Sequence, residues 1–89
     1  MPFSSYATNS FWRSYDSLPA DTKRRADRQF ELFTSDPSHP SLRLKPVGAV
    51  WSVRVSKSYR ALARRRGDAF YWFWIGTHAD YDKLLDRKG

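Results

Sequence analysis

Phe70-Tyr71-Trp72-Phe73-Trp74-Ile75 is an unbroken apolar and aromatic run. Side chains on a strand alternate between two faces, so a run of this kind shows apolar surface on both. It fits best as a central strand, covered above and below. Gly67-Asp68 turns the chain just before it and Gly76 ends it. The residues leading into that turn, Ala63 to Arg66, therefore return as its antiparallel neighbour.

Further flanking strands come from Trp51 to Leu62, WSVRVSKSYRAL. WSVRV and YRAL read as strands, and Ser56-Lys57-Ser58 is short enough to join them as a hairpin. Trp51, Val53 and Val55 then point one way, Ser52 and Arg54 the other. A three-residue loop sets Arg54 opposite Arg60, with two guanidinium groups side by side. Like charges directly opposite destabilise a sheet, so a pair kept in that position suits a bound anion. Lys45 comes from a neighbouring segment and Arg64 continues the alternation of Arg60. Arg43 and Lys57 join them as candidate phosphate contacts. Arginine suits phosphate because its planar fork bonds bidentately and stays charged.

Upstream the period changes. Asn9 is placed to cap a short helix carrying Phe11, Tyr15 and Leu18 at helical spacing. Leu18-Pro19 breaks it, and Pro19 opens a second helix to about Thr34, with Ala26, Phe30 and Phe33 on one stripe. The Ser35 to Ser41 cluster, with Pro37 and Pro40, is a turn in which His39 caps or packs. Leu42 to Lys45 reads as a short strand and Pro46-Val47-Gly48 as a break. Residues 1–8 read as an arm or a short edge strand. Thr77 to Leu85 reads as a polar tail with Leu84 and Leu85 packing back. The expected architecture is α+β, two N-terminal helices on one face of a three- to four-stranded antiparallel sheet, the other face partly open. Residues 1–89 are expected to form one domain.

Sixteen Lys and Arg against nine Asp and Glu give a net charge of +7. Nucleic acid is the first partner such a charge suggests, an acidic protein the second. Cysteine is absent, which fits a reducing cytosol and rules out a thiolate metal site. Two histidines about forty positions apart give no metal-ligand pattern, and neither a glycine-rich phosphate loop nor a serine elbow is present. Catalysis by such a chain would be metal-free and need no cofactor. No apolar run is long enough to span a membrane, and the N-terminus lacks the regions of a signal peptide, so a cytoplasmic location is expected. His78 and Tyr81 follow the aromatic strand. Their spacing leaves two readings open: an imidazole and a phenol beside the arginines, or a polar loop residue and a packing anchor.

Taken in order, Phe11 to Pro19, Ala26-Asp27, DPSHPSL (Asp36 to Leu42) with Lys45, WSVRV and SYRAL, and WIGTHADYD (Trp74 to Asp82) resemble the RelE/ParE superfamily of bacterial type II toxins. The resemblance spans about residues 11 to 85. It implies two helices on a curved antiparallel sheet and a small antitoxin partner. RelE-like members cleave mRNA in the ribosomal A site without metal, whereas ParE-like members poison DNA gyrase; an inactive member would keep only the binding. For an RNA-cleaving member the resemblance implies a catalytic set of Arg54, Arg60, His78 and Tyr81. Arg54 and Arg60 would grip the scissile phosphate, His78 would move a proton and Tyr81 would stack or act as acid. Lys45, Arg43, Lys57 and Arg64 would contact RNA. Ser52 stands where strongly RNA-cleaving members carry a second basic residue, and Tyr81 lies a few positions before the tyrosine of some of them.

Overall fold

A computed structural model describes residues 3–86. Its centre is the aromatic run, inside strand β5 (Ala69–Thr77) of a five-stranded sheet. The order is β1 (Ser4–Ala7), β5, β4 (Tyr59–Arg66), β3 (Val50–Arg54) and β2 (Lys45–Val47). Only β1 runs parallel to its neighbour, β5; the other pairs are antiparallel. Helices α1 (Asn9–Asp16) and α2 (Ala20–Ser35) accompany the inner face of the sheet, and α3 (His78–Asp86) follows β5 without a break.

The expected α+β layering is present, with more strands than the sequence suggested. Ser4–Ala7 is an edge strand, and the sheet is mixed for that reason. At the other edge the strand is Lys45–Val47 rather than Leu42 to Lys45. Leu42 instead ends a 3₁₀ turn, Pro40–Leu42, and is fully buried. Pro46 reads as a break by sequence, but a proline is tolerated on an edge strand, where no neighbour needs its missing N–H. Thr8 rather than Asn9 caps α1, its Oγ1 accepting from Phe11 N–H.

The core lies between the inner face and the helices. Val53 and Val55 of the β3 segment, Ala61 and Ala63 of β4, and Phe70, Trp72 and Ile75 of β5 are buried against Phe11, Leu18, Ala26 and Phe33. Rings meet edge to face, Phe33 on Phe70 at 5.0 Å and on Trp72 at 5.4 Å, as aromatic quadrupoles prefer.

A bulge between Leu62 and Ala63 shifts the β4–β5 register, Leu62 facing Trp74 and Ala63 facing Trp72. Beyond β1, hydroxyls near α1 satisfy the exposed edge of β5. Thr8 Oγ1 donates to Trp72 O at 2.9 Å, Ser10 Oγ to Phe73 O at 2.8 Å, and Ser14 Oγ accepts from Ile75 N–H at 3.1 Å. Unpaired strand groups invite association, and these bonds close them.

The two helices are tied by Tyr15, whose hydroxyl donates to Asp27 Oδ1 at 2.8 Å. Desolvation and the neighbouring carboxylate push the phenol up to about 12. A raised folded-state value stabilises the fold below the unfolded phenol's pKa near 10, and that contribution disappears as pH rises through about 12. Thermal melts of wild type and Tyr15→Phe between pH 9 and 12 should therefore converge as pH rises; a constant difference would show that this bond contributes nothing.

Candidate functional site

The hairpin register sets Arg54 opposite Arg60 on the outer face, as the sequence predicted. The two arginines are held differently. Arg60 Nη1 donates to Ser56 O at 2.7 Å and Tyr59 O at 2.9 Å, so the loop carbonyls fix its plane. Burial first, then the charge of Arg54, hold the Arg60 guanidinium below the ordinary arginine value; Tyr81 and Asp82 oppose this and Arg43 adds to it. A phosphate arriving here would relieve the repulsion between the two arginines. On the other side of the strand end, Gln29 Nε2 of α2 donates to Arg54 O at 2.8 Å and fixes the backbone that carries Arg54.

Two shallow grooves flank the hairpin loop. One, about 570 Å³, is lined by Arg25, Gln29, Arg43, Arg54 and Lys57 among others. The second, about 460 Å³, is lined by Lys57, Ser58, Arg60, Thr77, His78 and Ala79. Lys57 at the loop tip borders both. Lys45 is exposed on edge strand β2 opposite Ser52, so it shares the outer face. Arg64 lies further along β4, its guanidinium 5.1 Å from the Phe73 ring centroid. The structure thus gathers Arg54, Arg60, Arg43, Lys57 and His78 around one loop, with Lys45 and Arg64 at a distance along the sheet.

His78 opens α3 where β5 ends. Its N–H donates to Ser58 O at 2.7 Å, which pins the helix start to the hairpin loop. Thr77 caps the helix, its Oγ1 accepting from Asp80 N–H at 3.1 Å. The His78 Nδ1 lies 3.2 Å from Asp82 Oδ2 one helical turn on, and both side chains are about half exposed. Tyr81 is only 7% exposed and its ring lies 5.5 Å from the imidazole. The segment expected to be a tail is therefore a helix, packed on β4 and β5.

That helix covers part of the outer face, which stays partly open, as expected, at Lys45 and Arg64. Ser52, Leu62 and Tyr81 are all buried, at 2%, 3% and 7% exposure, and none belongs to the core cluster of the inner face. Ser52 does point the same way as Arg54, but it is buried in a row with Leu62 and the half-buried Trp74 across the sheet. A basic side chain at that position would be buried, which explains why a small residue is suited to it. Gly76, opposite Arg60, completes the floor: a Cβ there would come 2.5 Å from Trp74 Cζ2, so only glycine admits the indole.

Among the described residues no lysine or arginine is salt-bridged to a carboxylate; the one close contact of this kind is the His78 imidazole with Asp82. Among the described residues the arginines of this face are met by no direct ion pair, though the Asp82 carboxylate acts on Arg60.

A family model described as a ParE-like toxin domain matches residues 21–83. The chain belongs to the ParE-like toxin domain family. Sequence comparison with curated proteins gave no match. Solved structures share the fold of this ParE-like domain at low identity. A chain of the RelBE2 toxin–antitoxin complex of Mycobacterium tuberculosis is 18% identical at TM-score 0.70, over 88% of this chain and 100% of that one. A chain of the RelB–RelE antitoxin–toxin complex of Methanococcus jannaschii is 13% identical at TM-score 0.72, over 89% and 96%. YafQ of Escherichia coli is 10% identical at TM-score 0.71, over 89% and 97%. These likenesses show that the ParE-like domain shares the fold of those toxins, and the family match agrees with the resemblance carried by its sequence motifs.

Sequence reasoning missed three residues of the site in this ParE-like domain. Asp82 was legible, since a carboxylate four residues after a histidine meets it on a helix, but only once 78–86 is read as helical. Trp74 over Gly76 and Gln29 on Arg54 O depend on tertiary packing and left no local signal.

Proposed function

We propose that this ParE-like domain is the toxin of a toxin–antitoxin pair and a ribosome-dependent endoribonuclease acting on mRNA in the A site. The observation that carries this reading is the Arg54–Arg60 pair, opposed across the hairpin and, among the described residues, salt-bridged to no carboxylate. In this reading the two forks clamp the scissile phosphate, and Arg60, already oriented by Ser56 O and Tyr59 O, meets the charge that develops as the 2′-hydroxyl attacks phosphorus. The bond from phosphorus to the 5′ oxygen breaks. His78 gives that oxygen its proton, while the proton of the 2′-hydroxyl leaves to water. Asp82 at Nδ1 orients the ring so that Nε2 faces the reaction. Tyr81, buried beside the imidazole, holds His78 in place. Lys45, Arg43, Lys57 and Arg64 contact the RNA backbone. The chemistry uses the chain's own cations, without metal or cofactor.

A small antitoxin as partner is supported by the RelB–RelE and DinJ–YafQ complexes among the structural neighbours. No helix of the described residues is long and apolar enough to cross a membrane; the ribosomal target places the action in the cytoplasm. One observation favours a second reading: the matching family is described as ParE-like, and a domain of that kind could inhibit DNA gyrase by binding it. Inducing the chain alone and mapping mRNA 5′ ends separates the two. New ends in A-site codons support cleavage; intact mRNA with relaxed plasmid DNA supports gyrase inhibition.

A further inference from the structure

The outer face of the sheet carries aromatic rings that the core does not use. Pairing sets Tyr6 of β1 beside Tyr71 of β5, and Tyr71 beside Arg64 of β4, all on the face of Arg60 by strand alternation. The rings of Tyr6 and Tyr71 stack at 5.2 Å with 18° between their planes, and Tyr6 is 51% exposed. Phe73, left without a partner by the bulge, has its ring centroid 5.1 Å from the Arg64 guanidinium, so it joins them on that face. Tyr71 and Phe73 are half-buried, while Arg64 and Arg66 are exposed. Arg65, between those two arginines, turns inward instead, over the rings of Phe3, Trp51 and Phe70 at 4.9, 5.1 and 5.2 Å.

A surface of exposed rings marks an interaction site. Rings alone would suit an apolar protein segment. Here arginines are interleaved with them, and β1, β4 and β5 contain no Asp or Glu; the acid nearest in sequence is Asp68, in the turn that joins β4 to β5. That combination suits a partner in which planar groups alternate with negative charge, which is the chemistry of an unpaired nucleic-acid strand. Arg60 and Arg64 stand four residues apart on β4, about 13 Å along the strand, and the buried Leu62 lies between them. The aromatic surface is therefore a site of its own, separate from the hairpin cations.

We infer that the outer face of β1, β5 and β4 holds unpaired bases of single-stranded RNA, stacked on Tyr6 with Tyr71 and on Phe73, with Arg64 and Arg66 on the adjoining phosphates. Stacking accepts any base, so the face grips RNA without reading its sequence. It concerns binding alone and does not need the cleavage chemistry proposed above.

The test measures binding of a fluorescein-labelled oligouridylate of about eight nucleotides, and of an abasic oligomer of the same length, to the full chain carrying Arg60→Ala so that nothing is cut. The oligouridylate should bind at least about tenfold more tightly than the abasic oligomer, the worth of one base stack. Adding Tyr71→Leu or Phe73→Leu, which keep an apolar side chain on the strand but remove the plane, should weaken oligouridylate binding about tenfold and leave abasic binding unchanged. Tyr6→Leu, on the exposed edge strand, repeats the measurement without touching β5. Arg64→Gln should lower the salt dependence by about one phosphate contact for both oligomers. Equal affinity for the two oligomers, or oligouridylate affinity unchanged in all three leucine variants, overturns the inference and leaves the face to a protein partner. Ultraviolet crosslinking of wild type on programmed ribosomes separates the sources: crosslinks from Tyr6 or Tyr71 to message or to ribosomal RNA support the inference, and crosslinks to ribosomal protein alone overturn it. A chain that binds RNA at this face and cuts no message keeps the stacking site and loses the RNA-cleaving reading. One that cuts message but binds both oligomers equally does the reverse.

Discussion

Arg60→Ala should abolish growth arrest on induction and lower the cleavage rate on programmed ribosomes about a hundred- to a thousandfold, the usual loss for one preorganised donor at a developing negative charge. The fold should not suffer. Removing Arg60 deletes a like charge placed directly opposite Arg54, and Ser56 O and Tyr59 O, which it bonded, sit at a loop where water replaces it. The melting temperature should therefore stay level or rise while activity collapses, a split that a merely structural arginine would not give. Arg60→Lys keeps the charge but loses the fork and the loop bonds, so it should recover only part of the rate. Unchanged toxicity in both Arg60→Ala and His78→Ala would remove the site assignment altogether.

Trp72→Ala should destabilise the domain by about 3–5 kcal/mol, the range for deleting a buried large aromatic. Trp72 is 1% exposed, meets Phe30 and Phe33 edge to face, and stacks along Phe70. Its Nε1–H donates to Ser5 Oγ at 2.9 Å, the bond that fastens β1 to the sheet by a side chain. A domain of this size has roughly 5–15 kcal/mol to lose, so the variant should be largely unfolded at 37 °C. Urea unfolding followed by far-UV circular dichroism measures it; a loss under 1 kcal/mol would mean that the core closes over the gap, contrary to the tight ring packing around Trp72.

The sequence is most readable where local chemistry and tertiary position agree. FYWFWI announces a central strand because no surface strand is apolar on both faces, and β5 is flanked by β1 and β4. The hairpin register follows from loop length, so the sequence alone suffices to pair Arg54 with Arg60. The errors have physical causes of their own. At Ser4–Ala7 the sequence offers an edge strand as one of two readings, and only the parallel pairing is hidden: the partners Ala69 to Trp72 lie most of the chain away, and no turn announces them. Pro46 hides an edge strand. The helix at 78–86 does leave signals, Thr77 and Asp80 at cap spacing and Tyr81, Leu84 and Leu85 at i, i+3 and i+4, but its polar flecking outweighs them. Missing it leaves Ser52 on an open cationic face, whereas Ser52 is buried. The inward turn of Arg65 needs only strand parity continued through Ala61 and Ala63, and the three-arginine run points toward a solvated turn instead.

The central claim is that the cationic hairpin cuts RNA. Purified chain, free of antitoxin, added to ribosomes with an empty A site and followed by primer extension of the mRNA, tests it most directly, with a gyrase supercoiling assay on the same preparation. The predicted result is new 5′ ends within the A-site codon, absent with Arg60→Ala, and unimpaired supercoiling. Full-length mRNA together with blocked supercoiling would contradict it and assign the same arginine face to a protein target.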